Sequence, residues 1–140
     1  DCSSNYEVLE DPGVHEFIEA SESIDLPIIF EEDLAFTEIF VKRTKSLKII
    51  IPHMGMLGGS PLDFLEAFAK YPNVYFDTSL ASSGVVKRFI DTIGPERILF
   101  GSDIPFGTMK TELEKILSLR VGNEEKELLL SKNLKRLIGP

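Results

Sequence analysis

The chain has 140 residues, 43% of them hydrophobic and 9% aromatic, which is the length and composition of one folded domain. Its formal net charge of −8 argues against a nucleic-acid backbone or an anionic membrane as the main partner, because either would be repelled. No apolar run approaches the roughly 18 residues that a membrane span requires, so we expect a small molecule as partner.

The single cysteine, Cys2, has no second cysteine with which to form an internal disulfide. This usage is typical of a reducing compartment and predicts a cytoplasmic protein. The sequence begins without Met and shows no signal-peptide pattern, so we expect a processed product or a fragment of a longer chain.

Four short apolar runs predict strands at 26–30, 48–52, 73–77 and 97–101. Each run is rich in β-branched or aromatic residues. The runs are continuously apolar rather than alternating, which is typical of parallel strands that are covered on both faces.

Helical patterns occupy the segments between these strands. The clearest spans 82–95, where apolar residues recur every three or four positions until Gly94-Pro95 ends the pattern. Other helix starts are predicted at Asp11-Pro12, at Ser60-Pro61 with the serine as N-cap, at Thr111 with Glu114 as a capping box, and at Asn123. The last helix is expected to present Leu130, Leu134, Leu137 and Ile138 as its apolar face.

The predicted order is one helix, four strand-helix units and a further helix, without an internal linker. We therefore predict a single α/β domain over 1–140 with a parallel sheet and right-handed crossovers. Such a sheet is either an open doubly wound layer or part of a closed barrel, and sequence periodicity does not choose between them.

Polar or ionisable side chains follow every predicted strand, where parallel α/β folds place their ligands. This distribution suits a metal-assisted site, in which carboxylates and imidazoles converge on one cation. The residues are Glu31, Glu32 and Asp33 after the first strand, His53 after the second, Asp77, Thr78 and Ser79 after the third, and Ser102 and Asp103 after the fourth.

Each candidate also has a purely structural interpretation. The acidic group at 31–33 can be a solvated helix N-terminus, with Glu31 the best site candidate because it directly follows the strand. His53 can be a satisfied interior histidine, and Asp103 a turn-forming aspartate. The segment 77–79 is interpreted mainly as a strand end and turn, and His15 as a surface residue.

Taken together, LPIIF, KIIIPHMG, NVYFDTS, IGPERILFGSDIPFG and LLLSKNLKRLIG resemble the C-terminal half of the amidohydrolase-2 family over residues 11 to 139. These proteins are metal-dependent TIM-barrel hydrolases and decarboxylases related to aminocarboxymuconate semialdehyde decarboxylase. The resemblance implies the C-terminal half of a (β/α)8 barrel, with the four strands here as barrel strands five to eight.

The resemblance also implies roles for the strand-end residues. His53 matches the sixth-strand histidine that contacts the catalytic water or the substrate. Asp103 matches the eighth-strand aspartate that ligates the metal and helps to activate its water. We therefore expect His53 and Asp103 to be catalytic, and Asp103, Glu31 and His53 to surround a divalent metal.

This sequence departs from the family pattern at two points. Glu31 stands where the family carries a metal-binding histidine, which would shift the preference from zinc toward manganese or magnesium. The His-x-His pair of the family's first strand is absent from the sequence. Half a barrel also leaves two open sheet edges, so we expect a homo-oligomer or pairing with a missing N-terminal half.

The preferred function is hydrolysis of a small carboxylic or amide substrate by a metal-activated water, or a related decarboxylation. The alternative is a non-catalytic half-barrel that serves as a scaffold or assembly module. A doubly wound nucleotide binder is disfavoured because no glycine-rich phosphate loop follows the first strand.

Overall fold

The computed structural model describes residues 8–139, so Cys2 lies outside the described residues. In chain order its elements are α1 (Pro12–Ser23), β1 (Ile28–Ile29), α2 (Leu34–Arg43), β2 (Ile49–Ile51), a 3-10 turn (Pro52–Gly55), α3 (Pro61–Phe68), β3 (Val74–Asp77), α4 (Ser83–Ile93), a second 3-10 turn (Pro95–Arg97), β4 (Ile98–Leu99), α5 (Met109–Ser118), α6 (Asn123–Glu127), a π-helical turn (Leu128–Lys132) and α7 (Asn133–Ile138). None of the helices within residues 8–139 is both long and apolar enough to cross a bilayer.

The four strands form one parallel sheet in the order β1-β2-β3-β4. Each strand is added on the same side of the preceding one, as in the wall of a barrel. A doubly wound sheet would reverse its strand order at a switch point, so the structure excludes that alternative. The strands are shorter than the predicted runs, although Phe30 N beyond β1 still donates to Ile50 O at 2.9 Å.

Successive strand residues point to opposite faces of the sheet. One face carries Ile49, Ile51, Val74, Phe76 and Ile98, which pack with the apolar residues of the helices in the main core. The other face carries Ile50, Tyr75 and Leu99, against which Leu137 of α7 packs in a second, smaller cluster. Most of the helices therefore cover one face of the sheet, as expected for the outer ring of a barrel, and α7 contributes Leu137 to the other face.

The predicted helix starts at Asp11, Ser60 and Thr111 have different outcomes in the structure. Asp11 accepts from Gly13 N at 2.7 Å to begin α1. Ser60 occupies the N-cap of α3, but its side chain makes no capping hydrogen bond. The predicted capping box at Thr111 is wrong, because Thr108 is the N-cap of α5 and accepts from Thr111 N at 3.2 Å.

The C-terminal segment differs from the predicted single helix. Gly122 rather than Asn123 is the N-cap of α6, and a π-helical turn separates α6 from α7. A π turn adds a residue to the turn and rotates the following side chains. The predicted apolar face is therefore wrong in part: Leu134 and Ile138 are exposed, whereas Leu129, Asn133 and Leu137 are buried.

The two edges of the sheet are not equivalent. The backbone of β4 that faces away from β3 is hydrogen-bonded, because Phe100 N donates to Leu129 O at 2.9 Å and Asn133 Nδ2 donates to Ile98 O at 2.7 Å. At the opposite edge, β1 pairs only with β2 within the described residues 8–139, and Ile29, opposite Ile50, is 72% exposed. The C-terminal segment thus covers the β4 edge, and β1 presents the open edge.

Glu22 at the end of α1 fixes the loop that leads into β2. Its Oε1 accepts from the backbone N–H groups of Lys45, Ser46 and Leu47 at 2.7, 2.8 and 3.1 Å. These hydrogen bonds, of which those from Ser46 and Lys45 act most strongly, hold the pKa of Glu22 below its ordinary value of 4.5.

We expect Glu22→Gln to lower the free energy of unfolding by about 1 kcal/mol at neutral pH. Because the folded-state pKa is lowered, this stabilisation is present above the unfolded-state pKa and is lost as pH falls through the folded-state value. Urea denaturation of both proteins at neutral and acid pH should therefore show a difference that shrinks in acid. Glu16→Gln, at an exposed position of α1, is the control, and a pH-independent difference would contradict the prediction.

Candidate functional site

His53 follows β2 at the carboxyl edge of the sheet and is 6% exposed. Its backbone has φ of +53°, which turns the chain sharply out of the strand. The imidazole Nδ1 lies 2.8 Å from Ser79 Oγ, and the backbone N donates to Asp77 Oδ1 at 3.2 Å. Residues at the end of β3 thus hold His53, and its Nε2 takes no part in these contacts.

Nε2 of His53 faces two carboxylates from the ends of other strands. It lies 3.8 Å from Glu31 Oε1 and 4.0 Å from Asp103 Oδ1. The structure therefore brings together the three side chains that the sequence singles out, although they are separated by as many as 72 positions in the chain (103 − 31). Imidazole nitrogen and carboxylate oxygen are both ligands for divalent cations.

Asp103 both forms a turn after β4 and lines the candidate site. Its backbone has φ of +49°, and its carbonyl accepts from Gly107 N at 2.8 Å, so it does form the turn after β4. Aspartate tolerates this left-handed conformation better than most residues. Its side chain, 23% exposed, faces the same pocket as His53.

In the acidic group after β1, one residue caps a helix and another faces the pocket. Asp33 is the N-cap of α2, where its Oδ1 accepts from Phe36 N at 2.9 Å, so the helix-start interpretation is confirmed for this residue. Glu31 lies two residues earlier and faces the pocket, with its side chain 47% exposed.

These side chains line a cavity of about 320 Å³ together with three apolar residues, Leu57, Leu80 and Phe106. Three of the lining residues, His53, Leu80 and Asp103, have positive φ without being glycine. Such conformations cost about 1–3 kcal/mol each and are concentrated at functional sites. The concentration of this strain around one cavity marks it as the candidate site.

The sequence patterns did not identify the three apolar lining residues. Residues 77–79 were predicted mainly as a strand end and turn, whereas Asp77 and Ser79 contact His53 directly. The register of β2 and β3, with Ile51 opposite Phe76, places these residues beside His53. His15 is exposed and lies 3.3 Å from Glu19, as expected for a surface residue.

The donor types in the cavity suit a divalent cation, but the group is more open than a closed metal site. Ligands of one tetrahedral ion at about 2.0–2.2 Å lie about 3.4 Å apart, and the imidazole-carboxylate distances exceed this by a few tenths of an ångström. Accordingly, residues 8–139 contain no group of three His, Cys, Asp or Glu side chains that is arranged to hold a metal ion. Glu31, His53 and Asp103 therefore do not by themselves form a complete coordination shell.

The fold and the strand-end residues together define a barrel-type α/β protein with its candidate site at the carboxyl edge of the sheet. The family model described as amidohydrolase matches residues 3–139, and the chain belongs to this family. No curated protein gives a significant match to the chain.

Solved structures similar to this chain include a zinc-bound amidohydrolase from Burkholderia multivorans, at TM-score 0.80 and 15% identity, with 93% of this chain and 58% of that one covered. A 5-carboxyvanillate decarboxylase from Sphingomonas paucimobilis matches at TM-score 0.74 and 18% identity, with 91% and 53% covered. A dihydroxybenzoic acid decarboxylase from Polaromonas with bound manganese matches at TM-score 0.70 and 18% identity, with 92% and 54% covered.

The chain thus spans little more than half the length of these structures. Together with the strand order, this coverage confirms the predicted C-terminal half of a (β/α)8 barrel. Its family and its structural relatives are enzymes, and two of these relatives hold zinc or manganese.

Proposed function

We propose that this chain provides half of the active site of a metal-dependent enzyme that hydrolyses or decarboxylates a small carboxylic or amide substrate. The observation that carries the proposal is the convergence of His53 Nε2 with Glu31 and Asp103 in one cavity. The decarboxylases among the structural relatives support a carboxylate substrate.

In this proposal Asp103, Glu31 and His53 contribute ligands to a divalent cation, and Asp103 and His53 also act on the reacting groups. When bound, such a cation polarises a carboxyl or carbonyl oxygen and lowers the pKa of a coordinated water. Two carboxylates balance the charge of a divalent ion. A set with two carboxylates and one imidazole favours manganese or magnesium more than a histidine-rich set does.

The apolar residues of the cavity supply the rest of the binding surface. Leu57, Leu80 and Phe106 also line the cavity, and the 84% exposure of Phe106 leaves its ring available to a substrate. A planar apolar body can pack there while its polar group faces His53. The cavity of about 320 Å³ is at the small end of ligand sites.

The remaining part of the site would come from a second half-barrel that pairs along β1. This edge is open, with Ile29 72% exposed, whereas the C-terminal segment covers the β4 edge. This chain spans only 53–58% of these structural relatives, which favours a complementary N-terminal half as the occupant over a second copy. We place the protein in the cytoplasm, in keeping with its cysteine usage.

The scaffold alternative is favoured by one observation, the openness of the three-residue group. A half-barrel that has lost catalysis would keep its fold and its β1 edge but would bind no metal. It would form a stable assembly through the open edge.

Divalent-metal content per chain distinguishes the two functions. We expect close to one manganese or zinc ion per chain in protein purified without chelators or metal-affinity columns, together with carbon dioxide release or hydrolysis on a panel of small aromatic carboxylates and amides. Metal-free, inactive protein that forms a stable oligomer by light scattering would instead support the scaffold.

A further inference from the structure

A polar pair next to the cavity, the buried Ser79 and the partly buried Asp77, is not needed as a metal ligand in the proposed function. Ser79 is 1% exposed, and its Oγ lies between the carboxylate of Asp77 and the ring of His53. Buried hydroxyls and carboxylates are costly unless they are hydrogen-bonded, so this arrangement requires an explanation.

We propose that Asp77 and Ser79 are positioning residues that hold the neutral His53 ring with its proton on Nδ1. The Nε2 lone pair would then face Glu31 and Asp103. This inference rests on the proposed function for its consequence, because an unprotonated Nε2 is what a metal ligand or general base requires.

The direction of the hydrogen bonds follows from counting protons. Ser79 Oγ carries one hydrogen and has two partners, Asp77 Oδ1 and His53 Nδ1. An ionised carboxylate can only accept, so the hydroxyl donates to Asp77. Ser79 Oγ must then accept from His53 Nδ1–H, across 2.8 Å.

Two backbone groups hold the same carboxylate oxygen in place. Asp77 Oδ1 also accepts from Ser79 N at 2.9 Å and from His53 N at 3.2 Å. The oxygen therefore joins the backbone after β2 to the backbone after β3. A rotation of the Asp77 side chain would break all of these contacts at once.

The surrounding structure packs closely against the pair. A Cβ at Gly101 would lie 2.7 Å from Asp77 Oδ1 and 3.1 Å from Ser79 Oγ, so only glycine fits there without a shift. On the other side, Lys115 Nζ donates to the carbonyls of Thr78 and Ala81 at 2.6 and 2.9 Å and fixes the segment that carries Ser79.

The chain contains only two histidines, which makes the tautomer directly measurable. Proton-nitrogen correlation spectra of the imidazole rings distinguish a protonated from an unprotonated ring nitrogen. On ¹⁵N-labelled, tag-free, metal-free protein at about pH 8, we expect His53 to be protonated at Nδ1 and unprotonated at Nε2. The exposed His15 serves as the internal reference.

Two substitutions test the hydrogen bonds that join Asp77, Ser79 and His53. Ser79→Ala removes the acceptor and should increase the population of the Nε2–H form. Asp77→Ala removes the acceptor of the Ser79 hydroxyl, so the hydroxyl can turn and donate to Nδ1, which places the ring proton on Nε2. Ser82→Ala also removes a serine hydroxyl, the N-cap of α4, and should leave the His53 spectrum unchanged.

Manganese titration of the same proteins gives a second readout. We expect Ser79→Ala to weaken binding by about 10- to 100-fold relative to wild type and Ser82→Ala. The inference would be overturned by a wild-type His53 that is protonated at Nε2, or by a His53 tautomer that is unchanged in both the Ser79 and the Asp77 variants. Because the tautomer is read without metal, a failure of the proposed function would show separately, as absence of manganese binding with the Nδ1–H tautomer intact.

Discussion

Asp103→Asn is expected to weaken manganese binding by at least about 100-fold, equivalent to about 2.7 kcal/mol. The substitution removes one negative charge and replaces a carboxylate oxygen that lies 4.0 Å from His53 Nε2 in the candidate site. Loss of a direct ligand should cost at least as much as the changes in supporting residues that lower metal affinity by 10- to 100-fold.

Asparagine is the informative replacement because it removes the carboxylate without disturbing the backbone of the turn. Asp103 has φ of +49°, a conformation that asparagine adopts readily and that alanine adopts at a cost of about 1–2 kcal/mol. The backbone bond from Gly107 N to the carbonyl of residue 103 does not involve the side chain and should persist. The Asp103→Asn protein is therefore expected to keep its thermal midpoint.

The measurement is a manganese titration followed by electron paramagnetic resonance, which counts free ions directly. Asp63→Asn is the matched control, because it makes the same charge change at an exposed position in the first turn of α3. Equal manganese affinity in wild type and Asp103→Asn would show that Asp103 is not a ligand, and it would remove the main support for the proposed enzyme.

Local sequence patterns predicted most of the helices and strands but did not determine which strands are neighbours in the sheet. Each of the four apolar runs contains a strand, because continuous apolarity reflects burial on both faces. The choice between a doubly wound sheet and a barrel depends on which strands are neighbours. That information lies in contacts between distant segments, so local patterns could not supply it; the family resemblance implied a barrel, and the observed strand order confirms it.

The errors in the start of α5 and in the apolar face of the C-terminal segment also arise because local patterns carry no information on distant contacts. The segments Thr108-Met-Lys-Thr111 and Thr111-Glu-Leu-Glu114 offer competing start signals three residues apart, and packing selects the first. The exposure of Leu134 could not be predicted from a regular period, because the π-helical turn interrupts that period where Leu129 O accepts from Phe100 N beside β4.

The candidate site was predictable where the side chains follow strands directly. His53 and Asp103 stand at strand ends, and the general placement of ligands in parallel α/β folds identifies them. Ser79 looked like a turn residue because its partner, His53, is 26 positions away in the chain. A strand register would have placed the two side by side, but single-sequence periodicity carries no register between parallel strands.

Gly55→Ala is expected to lower the free energy of unfolding by about 3 kcal/mol, the largest stability effect that we predict. Gly55 has φ of +81°, and a Cβ there would lie 2.3 Å from Cγ of Phe64. Phe64 is 1% exposed and packs against Phe68 with ring centroids 5.9 Å apart, so it has no free space into which to move. Backbone strain and overpacking therefore add.

Gly84→Ala provides a control of opposite sign. Gly84 lies in the first turn of α4, and a Cβ there would be 3.9 Å from Ser82 Oγ, an ordinary contact. Alanine should stabilise this helix by up to about 1 kcal/mol. Since the chain has no tryptophan, urea denaturation should be followed by far-ultraviolet circular dichroism, with equal slopes required for comparison of midpoints.

The Gly55 substitution also tests whether the fold positions the site. Gly55 is two residues from His53, and both lie in the turn that carries the imidazole away from β2. A methyl group that pushes this turn away from Phe64 should displace the ring from Ser79, so the His53 tautomer should become mixed in the folded protein. A loss of stability with an unchanged tautomer would mean that Asp77 and Ser79 hold the ring independently of the turn.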